Sequence, residues 1–262
     1  MDGCKRETES FGVNYERYAL AQRIQRIAKK YDIKTVCEIP AVGAKAAPSL
    51  YSLGFGQGGC DVTLINGDLS MRHAWEHLGL GDRVNFQQVE DIIRTPFADN
   101  TFDLVWNFAF IPAFPDPIAL LTEMRRISRR YVALFCVNRR NVGFGIHRMV
   151  HRFTKIPWTH GDITYNAPRK LKRFMIEQGL IIQEVGVVDC PVWPDSLGFR
   201  DVRLHRMGGY SGKIQWDVPI LRYMKTGKVP TWIKVMWAWE QIPIPLFMKH
   251  FYSHLFYVIG KK

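Results

Sequence analysis

Short apolar segments alternate with amphipathic helical segments along most of this 262-residue chain. The apolar segments read KTVCEI, CDVTLIN, VNFQQV, FDLVWNFAF, RYVALFCVN, IIQEVGVVDC and HLFYVIGKK. Between them, the spacing of apolar residues predicts helices over residues 14–30, 47–54 and 69–80, and in PDPIALLTEMRRIS and APRKLKRFMIEQGL. Because strands that alternate with helices form βαβ units, the pattern predicts an α/β fold with a parallel sheet and helices on both faces.

Polar residues follow the predicted strands at the points where they end. Ligands of parallel sheets bind outside the carboxyl ends of the strands, so these residues are predicted to face a common site. Ordinary capping of strand ends is the alternative explanation for any one of them. The residues are Glu38, Asn66, Glu90, Asp91, Asn107, Asn138 and Asp189.

The stretch VNFQQVEDIIRTPFADNTFDLVWNFAFIPAFPDPIALLTEMRRI combines a strand, an acidic residue, a PF.DN.FD.V pattern, the tripeptide PDP and a helix ending in basic residues. In this order and spacing it resembles the class I S-adenosylmethionine-dependent methyltransferases, especially the type 11 group. The resemblance covers roughly residues 12–190 and 252–262. It implies a Rossmann-like, seven-stranded, mostly parallel sheet whose last strand is antiparallel. It also implies methyl transfer with S-adenosylmethionine as the cofactor.

The resemblance assigns roles to positions that match the family pattern. It implies that the acid ending the first strand and the loop after it cradle the methionine part of the cofactor. It places a ribose contact after the second strand, an adenine contact after the third, and residues beside the transferred methyl group after the fourth. The implied cofactor-binding residues are Glu38, Pro40, Ala41, Gly43, Asn66, Glu90, Asp91, Asn107 and Phe108.

The chain departs from the family pattern in the loop after the first strand. Family members usually read E-x-G-x-G-x-G there, whereas this chain reads EIPAVGA. Pro40 removes an N–H donor and Val42 adds bulk. Asn66 replaces the ribose-binding acid with a neutral group, and Ala113 stands where a His often follows the fourth strand.

Two hypotheses follow from these departures. In the first, the altered loop still binds the cofactor and the protein is a methyltransferase. In the second, the protein keeps the fold without catalysis and acts as a binding or partner subunit. A nicotinamide-dependent oxidoreductase would need G-x-G-x-x-G and an acid about twenty residues further on, and neither is present cleanly.

Methyl transfer is an in-line displacement, so the protein mainly positions the nucleophile and excludes water. A general base is needed only when the nucleophile must lose a proton. By analogy with family substrate loops, the segment WTHGDITYN predicts His160 and Tyr165 as catalytic residues. Surface or packing roles are the alternative for each. Further candidates are His147, His151, Asp162, Asp189 and Asp195.

Positive charge is concentrated in one part of the chain. The net charge is +12, and residues 124–173 hold 13 Lys and Arg against the single acid Asp162. A solvated helix face explains part of this excess, and attraction of an anionic substrate or lipid headgroup is the functional alternative. No recognised motif supports nucleic acid as the partner. The predicted acceptor is therefore a small or lipophilic molecule, and an anionic one is the alternative that the positive charge favours.

Residues 191–250 read as a cap inserted into a Rossmann domain formed by residues 1–190 and 251–262. The insertion is rich in Trp, Pro and Met, and Trp232, Met236 and Trp239 are predicted to share one helical face with Lys234 and Glu240 off it. A cap helix packed on the sheet is one interpretation of this face. An apolar substrate pocket and a peripheral membrane contact are the others.

The five cysteines are widely spaced, with no CxxC and no His/Cys cluster of metal-ligand spacing. Cys37 and Cys136 are predicted to be buried thiols, no metal site is expected, and a reducing, cytoplasmic environment is favoured. The polar N-terminus predicts no signal peptide, and no uncharged 20-residue stretch predicts a transmembrane helix. Membrane association of a cytoplasmic protein stays an open alternative.

Overall fold

The computed structural model describes residues 5–42, 47–158, 161–191 and 214–262. Within these ranges the strands are β1 (Lys5–Thr8), β2 (Thr35–Glu38), β3 (Asp61–Ile65), β4 (Val84–Gln87), β5 (Phe102–Phe108), β6 (Ser128–Val137), β7 (Ile181–Val188), β8 (Ile214–Asp217) and β9 (Leu255–Lys261).

The α-helices within the same ranges are α1 (Phe11–Tyr31), α2 (Leu53–Gln57), α3 (Arg72–His77), α4 (Pro117–Ile127), α5 (Val142–Thr154), α6 (Pro168–Glu177), α7 (Pro219–Thr226), α8 (Thr231–Gln241) and α9 (Leu246–Lys249). Single 3₁₀ turns lie at Leu69–Met71, Gly81–Arg83 and Ile111–Ala113. Helix α4 begins as predicted, because the Asp116 side chain accepts a hydrogen bond from the Ala119 N–H and Pro117 occupies the first turn.

The main sheet has seven strands in the order β4-β3-β2-β5-β6-β9-β7. All neighbouring pairs are parallel except the two that involve β9, which runs antiparallel to both β6 and β7. The predicted α/β fold with a Rossmann-like, mostly parallel sheet and an antiparallel last strand is therefore confirmed. Strands β1 and β8 form a separate two-stranded parallel ladder.

Two apolar cores lie on opposite faces of the sheet. Helices α1, α2, α3, α7 and α8 cover one face, where Trp75 and Trp106 are fully buried. Helices α4 and α6 cover the other, around residues such as Leu121 and Leu171. Strand β5 is buried along its whole length, as expected for a central strand covered on both faces.

One local prediction was wrong, and two further features were not specified by the sequence pattern. The helix expected over residues 47–54 begins only at Leu53, because Ser49 has a positive φ of 58° and its hydroxyl ties two loops together. The chain also forms α5, which the sequence pattern did not indicate. In α8 the buried face holds Ile233 and Glu240, while Trp232 is exposed.

Glu240 is buried because it has partners inside the protein. Its Oε2 accepts hydrogen bonds from the Tyr15 hydroxyl (2.8 Å) and the Cys190 N–H (3.0 Å). The Arg23 guanidinium lies 3.6 Å from its Oε1. A paired carboxylate can face a core that an unpaired one could not enter.

The thiols of Cys37, Cys60, Cys136 and Cys190 are free and buried. This agrees with the sequence-based prediction for Cys37 and Cys136. Among the described helices, none is both long enough and apolar enough to cross a bilayer.

Candidate functional site

Strand β2 ends at Glu38, which is fully buried at the carboxyl edge of the sheet. Its Oε2 accepts a hydrogen bond of 2.6 Å from the Ser52 hydroxyl, which in turn accepts one from the Trp106 indole N–H. Its Oε1 is buried and has no partner among the described residues. Burial raises the pKa of Glu38 from its ordinary value of 4.5 to about 7, against the opposing effects of Ser52 and Arg17. Glu38 therefore offers a buried acceptor that no described residue uses.

The loop after Glu38 is held by its neighbours on both sides. The Ile39 N–H donates to the Trp106 carbonyl on β5, and the Ala41 N–H donates to the Ile65 carbonyl on β3 at 2.7 Å. The Ser49 hydroxyl donates to the Ala41 carbonyl and accepts from the Asp68 N–H. The backbone thus extends the sheet past Pro40, and Gly43 lies outside the described residues.

Arg17, on α1, is a buried cation that the sequence pattern did not single out. Its guanidinium donates two hydrogen bonds to Glu9, at 2.9 and 2.7 Å, and one to the Ala47 carbonyl. It lies over the Tyr51 ring, which stacks on Phe108 with ring centroids 4.0 Å apart. Its Nη1 is buried and has no partner among the described residues. Arg17 and Glu38 thus place a buried donor and a buried acceptor at the same edge of the sheet.

Helical periodicity could not have revealed Arg17. The spacing of Tyr18, Ala21, Ile24 and Ile27 marks a single inward face, yet the first half of α1 is buried nearly all round. Helix α1 lies between the sheet and residues 214–250, so its polar face is covered as well. The charge pair formed with Glu9 is the feature that makes this burial tolerable.

Asn66 follows β3 with a positive φ of 53° and is only partly buried. Its side-chain oxygen accepts a hydrogen bond of 2.8 Å from the Val89 N–H, so it links the loops after β3 and β4. Glu90 and Asp91 are exposed, and an Asp91 oxygen accepts from the Ile93 N–H. The cofactor contacts expected at these three residues stay predictions.

Asn107 is fully buried at the end of β5 and bonds backbone groups of two loops. Its amide nitrogen donates to the Ile39 carbonyl at 2.6 Å, and its oxygen accepts from the N–H groups of Phe110 and Ile111. These bonds occupy both acceptor sites of the oxygen. In this structure Asn107 positions the loops after β2 and β5.

The two predicted catalytic residues have different outcomes. His160 lies outside the described residues. Tyr165 is partly buried, packs edge-on against Phe174 with centroids 5.1 Å apart, and has a pKa raised by burial. The segment that carries it contacts the end of β5, because the Asp162 N–H donates to the Pro112 carbonyl at 2.6 Å. The structure therefore brings residues 161–166 to the edge where Asn107 and Phe108 lie.

This contact depends on Gly161, which predicts a matched pair of variants. Gly161 has a φ of +70°, and a Cβ there would overlap the Pro112 carbonyl. We expect Gly161→Ala to lower the free energy of unfolding by about 2–4 kcal/mol, because left-handed strain and overpacking add.

Gly145, inside α5, has open space around its Cβ position. Gly145→Ala should instead raise stability by about 0.5–1 kcal/mol. Urea titration measures both, and equal effects of the two variants would contradict the proposed contact.

A second buried cluster lies at the end of β7. The His254 Nδ1 is 2.9 Å from Asp189 Oδ2 and 3.1 Å from Glu16 Oε2. These three residues could offer a metal ion three ligand atoms within 4.8 Å of one another. Burial raises the pKa of Asp189, and His254 opposes that rise. Because His254 already bridges both acids, hydrogen bonding alone accounts for the cluster. The sequence-based expectation of no metal stays a prediction.

Comparisons with known proteins agree with this architecture. Residues 42–136 match the family model described as a methyltransferase domain of type 11. The fold is similar to the YcgJ protein of Bacillus subtilis, with a TM-score of 0.53, 13% identity, and 94% of this chain and 98% of that chain covered. It is similar to a SAM-dependent methyltransferase of Thermotoga maritima, with a TM-score of 0.51, 12% identity, and 96% and 91% covered.

The [4+2]-cyclase SpnF is a third similar structure, with a TM-score of 0.52, 14% identity, and 92% of this chain and 82% of that chain covered. At these identities the structural likeness shows the fold alone. No curated protein matches the chain significantly.

Over residues 42–136 the chain matches a methyltransferase domain, and its sheet topology is that of the class I methyltransferase fold. S-adenosylmethionine is the cofactor that this match indicates.

The described residues fit the amino-acid end of this cofactor. That end carries an ammonium and a carboxylate, which need an acceptor and a cationic donor. Glu38 Oε1 and Arg17 Nη1 are a buried acceptor and a buried donor whose hydrogen-bonding capacity no described residue uses. A buried polar group without a partner costs free energy, so a ligand that pairs with both would remove that cost.

Proposed function

We propose that this protein transfers a methyl group from S-adenosylmethionine to a small, lipophilic acceptor that carries negative charge. When bound, the cofactor supplies an electrophilic methyl group on a sulfonium. The observation that carries the proposal is a pair of buried atoms, Glu38 Oε1 at the end of β2 and Arg17 Nη1 on α1, that no described residue pairs with. The alternative of a methyltransferase-fold subunit without catalysis has no support from the comparisons.

The proposed roles follow from position. Glu38 and Arg17 bind the ends of the amino-acid part, and Tyr51 and Phe108 form an apolar wall beside them. Asn107 keeps the loops after β2 and β5 together, which maintains the site without contributing a proton. The remaining predicted cofactor contacts are Pro40 and Ala41, in the loop after β2, and Asn66, Glu90 and Asp91, in the loops after β3 and β4.

A cavity of about 480 Å³ supports an anionic acceptor. It is lined by the cationic side chains of Arg148 and Arg152, with His151, Trp158 and the acid Asp162. It adjoins residues 161–163, which pack against the turn after β5. We place the charged group of the acceptor in this cavity, because two guanidinium groups favour an anion there.

Tyr165, and the sequence-predicted His160, are proposed to contact the acceptor. The raised pKa of Tyr165 keeps its hydroxyl protonated near neutral pH, so it would donate a hydrogen bond and orient the nucleophile. A general base is required only for an acceptor that loses a proton on methylation.

Residues 191–250 are proposed to cover the site as a cap, with residues 1–190 and 251–262 forming the Rossmann domain. The described part of the cap is joined to α1, since the Tyr15 hydroxyl donates to Glu240 and the Ile220 N–H donates to the Asn14 side chain. Because α1 also carries Arg17, the cap and the cofactor site share one helix. A cytoplasmic location is part of this proposal.

Calorimetric titration with S-adenosylhomocysteine at pH 8 tests the cofactor part of the proposal. We expect saturable binding, with adenosine alone binding at least about tenfold more weakly, because it lacks the groups that Glu38 and Arg17 pair with. Absence of binding at millimolar ligand would refute the proposed function. Methyl-labelled cofactor with a panel of lipophilic carboxylates and phosphates then tests the acceptor class, using lipophilic amines as the matched control.

A further inference from the structure

Helix α5 has an exposed apolar stripe on its outer side. Val142, Ile146, Met149 and Phe153 recur at helical spacing and are 61%, 38%, 54% and 81% exposed. Residues at this spacing lie on one face of a helix. A contiguous apolar face of this kind marks an interaction surface more often than scattered single residues do.

The opposite side of α5 is fixed by packing. Phe144, His147 and His151 are buried, and the Trp158 ring contacts all three at centroid distances of 5.7, 5.4 and 5.2 Å. This packing sets the rotation of the helix about its axis. The apolar stripe is therefore directed outward by the fold itself.

The exposed apolar surface continues beyond α5. The Val142 N–H donates to the Phe251 carbonyl at 3.0 Å, so the start of the helix lies against the segment after α9. Phe247 and Phe251, four residues apart, are 64% and 59% exposed. We call the outward residues Val142, Ile146, Met149, Phe153, Phe247 and Phe251 the apolar–basic surface, because the segments that carry them also carry Arg and Lys.

The two segments that form this surface carry charge of one sign. Residues 139–158 contain Arg139, Arg140, Arg148, Arg152 and Lys155, all exposed, and no Asp or Glu. Residues 242–252 add Lys249 and likewise contain no acid. The partner that this surface fits must therefore be apolar at its centre and negatively charged at its rim.

We infer that the apolar–basic surface binds an anionic lipid bilayer. Apolar side chains on one helix face with Arg and Lys beside them are typical of helices that lie in a membrane interface. The basic rim matches the negative potential of anionic headgroups, whereas a hydrophobic protein partner would not require charge of a single sign. The inference relocates the sequence-predicted membrane contact from the Trp-rich part of residues 191–250 to α5 and α9. It does not depend on methyl transfer.

Vesicle flotation tests the inference with the full chain. The wild-type protein should float with phosphatidylcholine vesicles that contain phosphatidylglycerol. It should remain in the bottom fraction when the vesicles contain phosphatidylcholine alone. High salt should reduce flotation, because it screens the basic rim. A wild-type protein that stays in the bottom fraction with anionic vesicles at low salt would overturn the inference, as would equal binding to both vesicle types.

Paired variants locate the contact. The double variant Met149→Asp with Phe153→Asp should bind anionic vesicles more than about tenfold more weakly, because two side chains that enter the bilayer become charged. Ile118→Asp with Ile176→Asp is the control, since these residues are similarly exposed, at 54% and 51%, on α4 and α6. The control should bind like wild type. Equal losses in both double variants would overturn the inference.

Charge reversal and oligomeric state complete the test. Arg139→Glu with Arg140→Glu should lower the affinity for anionic vesicles more than about tenfold and flatten its salt dependence. These exposed side chains leave the core intact, which circular dichroism checks. Light scattering without lipid should show a monomer. If the wild-type protein is a dimer and the double variant Met149→Asp with Phe153→Asp is a monomer, the surface would instead bind a second copy of the chain.

Discussion

Replacing Arg17 with methionine is expected to lower the free energy of unfolding by about 3–5 kcal/mol, because the buried Glu9 carboxylate would be left without its charge partner. The guanidinium makes two hydrogen bonds to Glu9 and one to the Ala47 carbonyl, and both charged side chains are almost completely buried. Chemical denaturation followed by circular dichroism measures the loss. The same variant should lose the donor proposed for the cofactor carboxylate.

A double variant separates the two roles of Arg17. Glu9→Leu combined with Arg17→Met removes the whole ion pair, and replacing a buried pair by apolar groups is often neutral for stability. We expect this variant to recover most of the lost stability. It should still bind S-adenosylhomocysteine at least about tenfold more weakly than wild type, because a hydrogen bond to a charged group is lost. Wild-type affinity in the double variant would show that Arg17 is structural only.

Affinity for S-adenosylhomocysteine is expected to rise about tenfold per pH unit up to pH 7 and to level off above it. The reason is that the Glu38 carboxylate must be ionised to accept the ligand ammonium, and burial raises its pKa to about 7. Glu38→Gln should give a weaker affinity without this pH dependence. Calorimetry at intervals of about one pH unit, from about pH 5.5 to about pH 8.5, measures the pH dependence of affinity for both proteins. A flat wild-type profile would contradict the assignment of the ammonium to Glu38.

The same pKa shift predicts how stability depends on pH. The folded-state pKa of about 7 lies above the ordinary value of 4.5, so the folded protein holds this proton more tightly than the unfolded chain does. The contribution of Glu38 to the free energy of unfolding is therefore highest below pH 4.5. It falls by about 3 kcal/mol as the pH rises to 7. Glu38→Gln should remove that part of the slope, which denaturation at several pH values measures.

The sheet and most of its helices were predictable from local signals. The strand segments are strongly apolar, and the start of α4 is marked by Asp116 and Pro117. Helix α5 was missed because Gly143 and Gly145 lower the helix propensity of a segment that packing against Trp158 nevertheless stabilises. The inner face of α8 could not be predicted because apolar residues surround the helix, and the partners of Glu240 decide its orientation.

The site itself was only partly predictable. The acid at the end of β2 could be located by resemblance. Its raised pKa, and its buried oxygen that no described residue pairs with, depend on contacts distant in sequence. Arg17 on α1 pairs with Glu9, which precedes the helix, and nothing in their spacing indicates that both side chains are buried. Asn107 joins the loops after β2 and β5 through hydrogen bonds to backbone groups, and no sequence pattern specifies those groups.

The loop after β2 has a consequence for how relatives of this chain can be recognised. Its path is set by backbone bonds to β3 and β5, by the Ser49 hydroxyl and by the Asn107 amide, and therefore does not rely on a run of glycines. A search based on glycine spacing would pass over proteins built in the same way. We expect those proteins to share the serine and the asparagine even where the residues between them have diverged.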